Sequence, residues 1–353
     1  MTGAAPSGST PSLPPEAPEV SQIMRDAVRA ATPAALLAIV PYLLGFVPAA
    51  SLVVTGFRGD DVAVTLRYDL VDGPARCDMI ALHAVTVLAA QNLTALSAVG
   101  YGAAELTSPL ARALRRAAAG TQVQVRLILR AENDRYWSCR CGPVRCRHKG
   151  RPYGARQHPA AAALGAAGMT VLPSRSALTA TLAPEDGPVR DSMRRATRLA
   201  ERSLRQAAHL RRQSGRGGRR AAATDRGFTA VRKLISRYRS GRRPASPYHC
   251  AWLALLLKQP RVRDDAWARM DPRYSSAHLR LWTDIVRRAE PGYVAAPASL
   301  LAFVAWQAGN GALANVALDR ALADNPRYPM AAFLREVIAG GAPPSAGLLG
   351  ERS

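Results

Sequence analysis

Four short runs rich in β-branched and aliphatic residues limit what this chain can fold into: SLVVTGF (51–57), VAVTLRYDL (62–70), LTALSAV (93–99) and VQVRLILR (123–130). The second alternates, with Val62, Val64 and Leu66 on one face and Ala63, Thr65 and Arg67 on the other, the period of a half-buried strand. RGDD, containing Gly59, joins the first two runs and signals a hairpin. Elsewhere the spacing turns helical. Ala34–Leu44 reads as an apolar helix, 78–91 places Met79, Leu82, Val85 (or Thr86) and Ala89 on one stripe, and 103–119 forms another helix. DRYWSC (134–139) continues the fourth run across a turn at Glu132–Asn133, an Ala-rich helix follows Pro159, and MTVLPS (169–174) reads as a last short strand. Strands interleaved with helices, plus an early hairpin, predict an α/β domain over 33–184, a mixed sheet with flanking helices.

Beyond residue 184 the strand period disappears and charge takes over. Residues 190–243 carry 18 Arg and Lys against three acids, so they hold +15 of the chain's formal +23. Met193, Ala196, Ala200, Leu204 and Ala207 make one helical stripe, SGRGGRR (214–220) breaks it, and a second basic helix runs from Phe228 to Arg239. This predicts a basic helical connector over 185–243 with a flexible Gly/Arg break. From 244 to 342 the charge nearly balances, at 11 bases and eight acids. Trp252, Leu255, Leu256, Trp267, Leu279, Leu281, Trp282, Ile285 and Val286 there predict a small all-α domain.

The ends, 1–32 and 343–353, read as disordered tails, and the first 20 residues lack the basic and apolar parts of a signal peptide. Ala31–Phe57 contains no charge and is long enough to span a membrane, but Pro33, Pro41, Gly45 and Pro48 interrupt it. A buried helix, turn and strand is the expectation, with no membrane span. Five cysteines without a secretory signal point to a reducing, cytoplasmic setting rather than a disulfide framework.

VPYLLGFVPAASLVV (40–54) with RYDL (67–70), RYWSCRCGPVRC (135–146) and LAFVAWQAGNGALANVALDRAL (301–322) together resemble the bacterial family known as domain of unknown function 4192. The resemblance covers about 33–342 and implies the architecture without an activity. The family occurs mainly in high-GC Gram-positive bacteria, which fits 45 arginines beside three lysines. Within it, 297–330 resembles a single tetratricopeptide-like helical hairpin, with Leu301, Ala302, Ala314, Leu318, Ala321 and Pro326 at packing positions. No second or third copy follows at the 34-residue period, so no solenoid is expected.

Two clusters carry possible chemistry. Cys139, Cys141, Cys146 and His148 supply four ligands in the order C-x-C-x4-C-x-H, enough for a structural zinc ion. Residues two apart in a strand are separated by about 6.6 Å, so Cys139 and Cys141 share a metal only if the strand ends by Cys139. Flanking Arg140, Arg145, Arg147, Lys149 and Arg151 favour thiolate, which leaves a redox-active thiol or an inert basic loop as alternatives. In the resembled family a third cysteine usually stands where this chain has Arg147.

The second cluster is Arg211, Arg212, Arg216, Arg219 and Arg220, read first as part of a solvated, Arg-biased linker, with non-specific contact to nucleic-acid phosphates next and an anionic membrane surface last. Gly100-x-Gly102 lies between a strand and a helix but lacks the third glycine of a dinucleotide fingerprint and reads as a turn. Asp60, Asp61 and Asp69 read as turn and strand-end acids, His83 as a satisfied core histidine, and His249 has no third partner nearby.

No G-x-S-x-G, Walker A or H-E-x-x-H motif is present and no catalytic set emerges. The reading favoured by the sequence is a non-enzymatic interaction or scaffold protein whose C-terminal helical domain meets a protein partner. Its alternatives are an auxiliary, non-specific nucleic-acid binder using the connector, and an enzyme with an α/β cleft assembled only by folding.

Overall fold

In the computed structural model β1 (Ser51–Arg58) and β2 (Asp61–Asp69) form the expected antiparallel hairpin, with Thr55 opposite Thr65 and the turn made by Gly59 at φ 60°. The structure describes residues 17–30, 32–139, 149–213, 219–242 and 245–342; side chains at 17–19, 210–213 and 219–223 lie outside that description. The chain divides into two units, one ending at Val171 and the other comprising Leu44–Val47 with Leu172 onward.

In the first unit β1 also pairs antiparallel with β3 (Ala95–Tyr101), reached through α3 (Pro74–Ala90). Helix α4 (Ala104–Ala118) then crosses to β4 (Gln124–Glu132), which runs parallel to β3. Asn133 and Asp134, both left-handed at φ 48° and 56°, turn β4 into β5 (Arg135–Ser138), as a type I′ hairpin requires. Two residues, Arg151–Pro152, form β6 against β5. The sheet is therefore mixed, six strands in the order β2-β1-β3-β4-β5-β6.

Both faces are covered by helices. Leu52, Val54, Leu96, Ala98 and Ile128 pack with Ala81, Ala84 and Leu88 of α3 and Leu110, Ala113 and Leu114 of α4. On the opposite face Phe57 and Ala95 meet α1 (Ala17–Arg29), α2 (Pro33–Leu44) and α5 (Pro159–Ala166) through Ala27, Val28, Ala35, Ile39 and Leu164.

Three local expectations need correction. Met79 and Leu82 are not core residues: they are 65% and 62% exposed, and α3 buries Cys77, Ala81, Ala84, Val85 and Leu88 instead. The small side chains let α3 approach the sheet so closely that a Cβ at Gly56 would stand 2.2 Å from Leu88 Cδ2. Residues 17–29, assigned to a disordered tail, form α1, because Val20, Ile23, Met24, Ala27 and Val28 fall at helical spacing and pack on the α2–α5 layer. MTVLPS makes no strand; Leu172 forms a single parallel bridge to Phe46.

The second unit is helical. It runs through α6 (Arg175–Ala180), α7 (Gly187–Gln213), α8 (Arg219–Arg239), α9 (Pro247–Leu256), α10 (Pro260–Ala268), α11 (Ser275–Arg288), α12 (Ala295–Gln307), α13 (Gly311–Asp324) and α14 (Pro329–Ala339). The α12–α13 hairpin turns at Gly309, φ 75°, and Asn310 caps α13 by accepting from Leu313 N at 3.0 Å. Asp324, at the far end of α13, accepts from Val294 and Ala295 N at 3.0 Å, closing the start of α12. Ala302, Ala314, Ala317 and Ala321 are fully buried between the pair.

The stretch read as a connector takes part in this packing. Met193, Ala196 and Ala200 of α7 are buried, α7 lying against α9, and Val231, Leu234, Ile235 and Tyr238 of α8 are buried where it meets α9, α10 and α11.

Candidate nucleic-acid interface

Helix α7 holds eight arginines and two acids, and its apolar stripe decides where they go. With Met193, Ala196 and Ala200 facing inward, Arg195, Arg198 and Arg202 are turned to solvent at i, i+3 and i+7. Among the described residues none of these three has an acidic or hydrogen-bonding partner. Their neighbours do: Arg190 reaches Glu290 at 3.3 Å, and Arg194 and Arg205 sit by Asp191 and Glu201 at 3.6 Å. The three free guanidiniums span about 10 Å of helix.

A second basic surface lies on α8. Gly227 brings α8 against α10, since a Cβ there would lie 2.3 Å from Val262 Cγ2. Beyond that contact the helices enclose a groove of about 710 Å³ with the 3-10 turn Pro272–Tyr274. Arg232, Ser236 and Arg239 line it from α8 with Ser240 just beyond, and Arg269, Asp271 and Tyr274 from the other side, over Ile235 and Met270. The groove is chemically asymmetric. Arg269 is held by Asp265 through two bonds of 2.7 and 2.8 Å, and Asp271 by Arg273 at 2.8 Å. Arg232 has no partner among the described residues, and the Arg239 guanidinium sits 4.2 Å from the centre of the Tyr274 ring.

Buried His278 steadies Arg239 from below. Its Nε2 accepts from Arg239 Nη2 and from Asp271 N, both at 3.5 Å, so the ring proton resides on Nδ1. Burial, with Arg239 adding repulsion, pushes its pKa down to about 4 and keeps the ring neutral.

Of the arginines singled out from sequence, Arg211 and Arg212 fall in the last turn of α7 and Arg219 and Arg220 in the first turn of α8. Their side chains lie outside the described residues, as does Arg216 entirely. The unpaired Arg195, Arg198 and Arg202 were missed, although the stripe that faces them outward was readable. Arg232, Ser236 and Arg239 also share one helical face in the sequence, but only folding sets them opposite Tyr274.

Of the proposed zinc ligands only Cys139 is described; Cys141, Cys146 and His148 lie outside the described residues. Strand β5 does stop at Ser138. The residues on either side of 140–148 are firmly held. Cys139 N donates to Ile128 O at 2.9 Å and its carbonyl accepts from Arg115 at 2.6 Å. Arg135 donates to the carbonyls of Lys149 and Gly150 at 2.6 and 2.7 Å. Trp137 lies under Arg130, 3.5 Å from its ring centre, and is so close to Gly150 that a Cβ there would meet it at 2.5 Å.

The weaker candidates resolve into structure. Asp60, Asp61 and Asp69 pair with Arg29, Arg25 and Arg67 at 2.8, 3.1 and 2.8 Å. His83 is on the surface rather than in the core, bonded to the Tyr68 hydroxyl at 2.8 Å. His249 bonds Ser246 Oγ at 2.7 Å. Gly100 and Gly102 answer packing: a Cβ would meet Thr107 Cγ2 at 2.8 Å at the first and Leu70 Cδ1 at 2.7 Å at the second.

Comparison with known families supplies the classification. The model of the family described as Domain of unknown function (DUF4192) matches residues 33–345. The chain belongs to this family. The DUF4192 match covers both units and brings no established activity with it. No curated protein and no solved structure matches the chain. No helix among the described residues is long and apolar enough to cross a membrane.

Proposed function

We propose that this chain is a non-enzymatic nucleic-acid-binding protein that lays its helical unit along a phosphate backbone. The observation that carries the reading is the row Arg195, Arg198 and Arg202 on α7, exposed and without partners among the described residues. A guanidinium already bound to a carboxylate gains little from a phosphate; a free one releases the phosphate's counterion at no internal loss. The arginine clusters at the end of α7 and the start of α8 extend the same basic run in sequence. Nothing in the row reads bases, so the recognition is of charge and independent of sequence.

This reverses the preference drawn from sequence, where an interaction scaffold came first. Helices α7 and α8 are packed parts of a folded unit, so their outward arginines hold a fixed array instead of floating on a linker.

The test is fluorescence anisotropy of a labelled 20-mer oligonucleotide across a salt series, comparing the full chain with the Arg195→Gln, Arg198→Gln, Arg202→Gln variant. Each lost phosphate contact lowers the slope of log K against log salt by about 0.7–0.9. The triple variant is expected to lose about two units of slope and at least tenfold in low-salt affinity. Unchanged slope and affinity, or no binding by the parent chain, overturns the reading.

A further inference from the structure

We infer that the groove between α8 and the Pro272–Tyr274 turn seats one unpaired nucleotide, so that the protein prefers single-stranded over duplex nucleic acid. The inference rests on the phosphate-binding reading and adds the class of nucleic acid. Three features of the groove carry it.

The first is uncompensated charge on one wall. Arg232 and Arg239 are two turns apart on the same face of α8, about 10 Å along its axis, with the Ser236 hydroxyl between them. The opposing arginine and aspartate are each neutralised within their own side, by Asp265 and Arg273. The groove lies at the C-terminal end of α8, where free carbonyls would disfavour an anion. Three of those carbonyls are occupied: Ser236 O accepts from Ser240 N at 3.0 Å, Arg237 O from Arg242 N at 3.2 Å, and Tyr238 O from Gly241 N at 3.2 Å and Arg280 at 3.4 Å. The two guanidiniums are thus left as the dominant charges facing the cavity.

The second is a flat stacking surface. Arg239 lies over the Tyr274 ring and is fixed by bonds to His278 Nε2 and Arg269 O, both at 3.5 Å. Its outer plane is a platform of the kind on which unstacked bases rest. A base laid there continues a Tyr274–Arg239 stack, and its edge meets the apolar floor of Ile235 and Met270.

The third is size. A groove of about 710 Å³ is within the range of pockets that take small organic ligands, large enough for one nucleotide and far too small to hold a duplex. In a duplex both faces of each base are covered by neighbours, and extruding one costs a few kcal/mol. Arg232 with Ser236 then seats a phosphate, and Arg239 takes the adjoining base.

The experiment compares a 20-nucleotide deoxythymidine strand with a 20-base-pair duplex by anisotropy at one low salt concentration. The parent chain is expected to bind the single strand at least tenfold more tightly, the scale of one stacked base. Tyr274→Ala removes the ring that backs the Arg239 platform, and Arg232→Gln removes the phosphate contact at an exposed position that holds no fold contact. Each should bring single-strand affinity down to the duplex value and leave duplex affinity unchanged, with the thermal midpoint recorded for both. Equal affinity for strand and duplex in the parent, or variants that weaken both alike, overturns the groove assignment while the α7 reading stands. Loss of all binding on neutralising Arg195, Arg198 and Arg202 supports the broader reading; absence of any binding in the parent defeats both.

Discussion

The hydroxyl of Tyr238 on α8 donates to Asp284 on α11, and the same carboxylate is bound by Arg288 one turn further on. Arg288 also reaches Ala245 O at 2.7 Å and Cys250 Sγ at 3.5 Å, so one carboxylate ties α8, α9 and α11 together. Arg288 and Asp284 are only 13% and 18% exposed, and neither can be solvated alone. Asp284→Ala is therefore expected to destabilise the helical unit by about 3 kcal/mol in urea unfolding, because it strands a guanidinium. Tyr238→Phe, which removes only a hydroxyl, should cost about 1 kcal/mol. Equal costs would show that the carboxylate is not the organising group.

Gly56 sets the distance between α3 and the sheet. A methyl there would meet Leu88 at 2.2 Å and Leu93 at 2.9 Å, both fully buried. Gly56→Ala is expected to cost about 1–3 kcal/mol by overpacking, and a shorter Leu88→Ala partner should recover part of it. Denaturant midpoints of the two single variants and the double variant decide this; strict additivity would disprove the contact.

His278 gives the fold a defined acid sensitivity. Its pKa is pushed down to about 4 in the folded chain, while an unfolded histidine titrates near 6.5. Between those values the unfolded state binds more protons, so stability is complete above pH 6.5 and falls as pH drops toward 4, by up to about 3 kcal/mol. Thermal midpoints between pH 7 and 4.5 should drop less in His278→Gln than in the parent chain. Parallel curves would remove His278 as the cause.

Cys77 and Cys250 are buried, and burial raises both thiol pKa values, that of Cys250 to about 12. Iodoacetamide applied at pH 8 is expected to leave both unmodified in the native chain and to label both in urea, as peptide mass spectrometry would read. Native-state labelling at either position would mean that its helix opens on the experimental timescale.

What the sequence disclosed was what local pattern controls. The β1–β2 hairpin, the turn into β5 and the α12–α13 hairpin follow from alternation, left-handed turn residues and small packing residues close together in the chain. Helix α3 shows the limit. Its bulky Met79 and Leu82 mark a convincing stripe, yet alanines form its buried face because a glycine on β1 admits them. Helix α1 hid within a Pro- and Ser-rich start, its order depending on Ala27, Val28 and their apolar neighbours packing on Ile39, Phe57 and Leu164, residues far along the chain, with Arg25 and Arg29 meeting Asp61 and Asp60 at the rim. The groove hid for the same reason. Arg239 and Tyr274 come from separate elements, and the packing of α8 on α10 and α11, with the close Gly227–Val262 approach, brings them together.

The pinned residues on either side of 140–148 have a use of their own. Tyr136 pairs with Arg151 across β5 and β6, and the Arg115 and Arg135 bonds hold both exits whatever joins them. Each side of that edge is tied down by a side chain from outside the intervening stretch, Arg115 of α4 on the way out and Arg135 of β5 on the way back, so the register of the sheet's last pair is set by residues that precede 140 and follow 148.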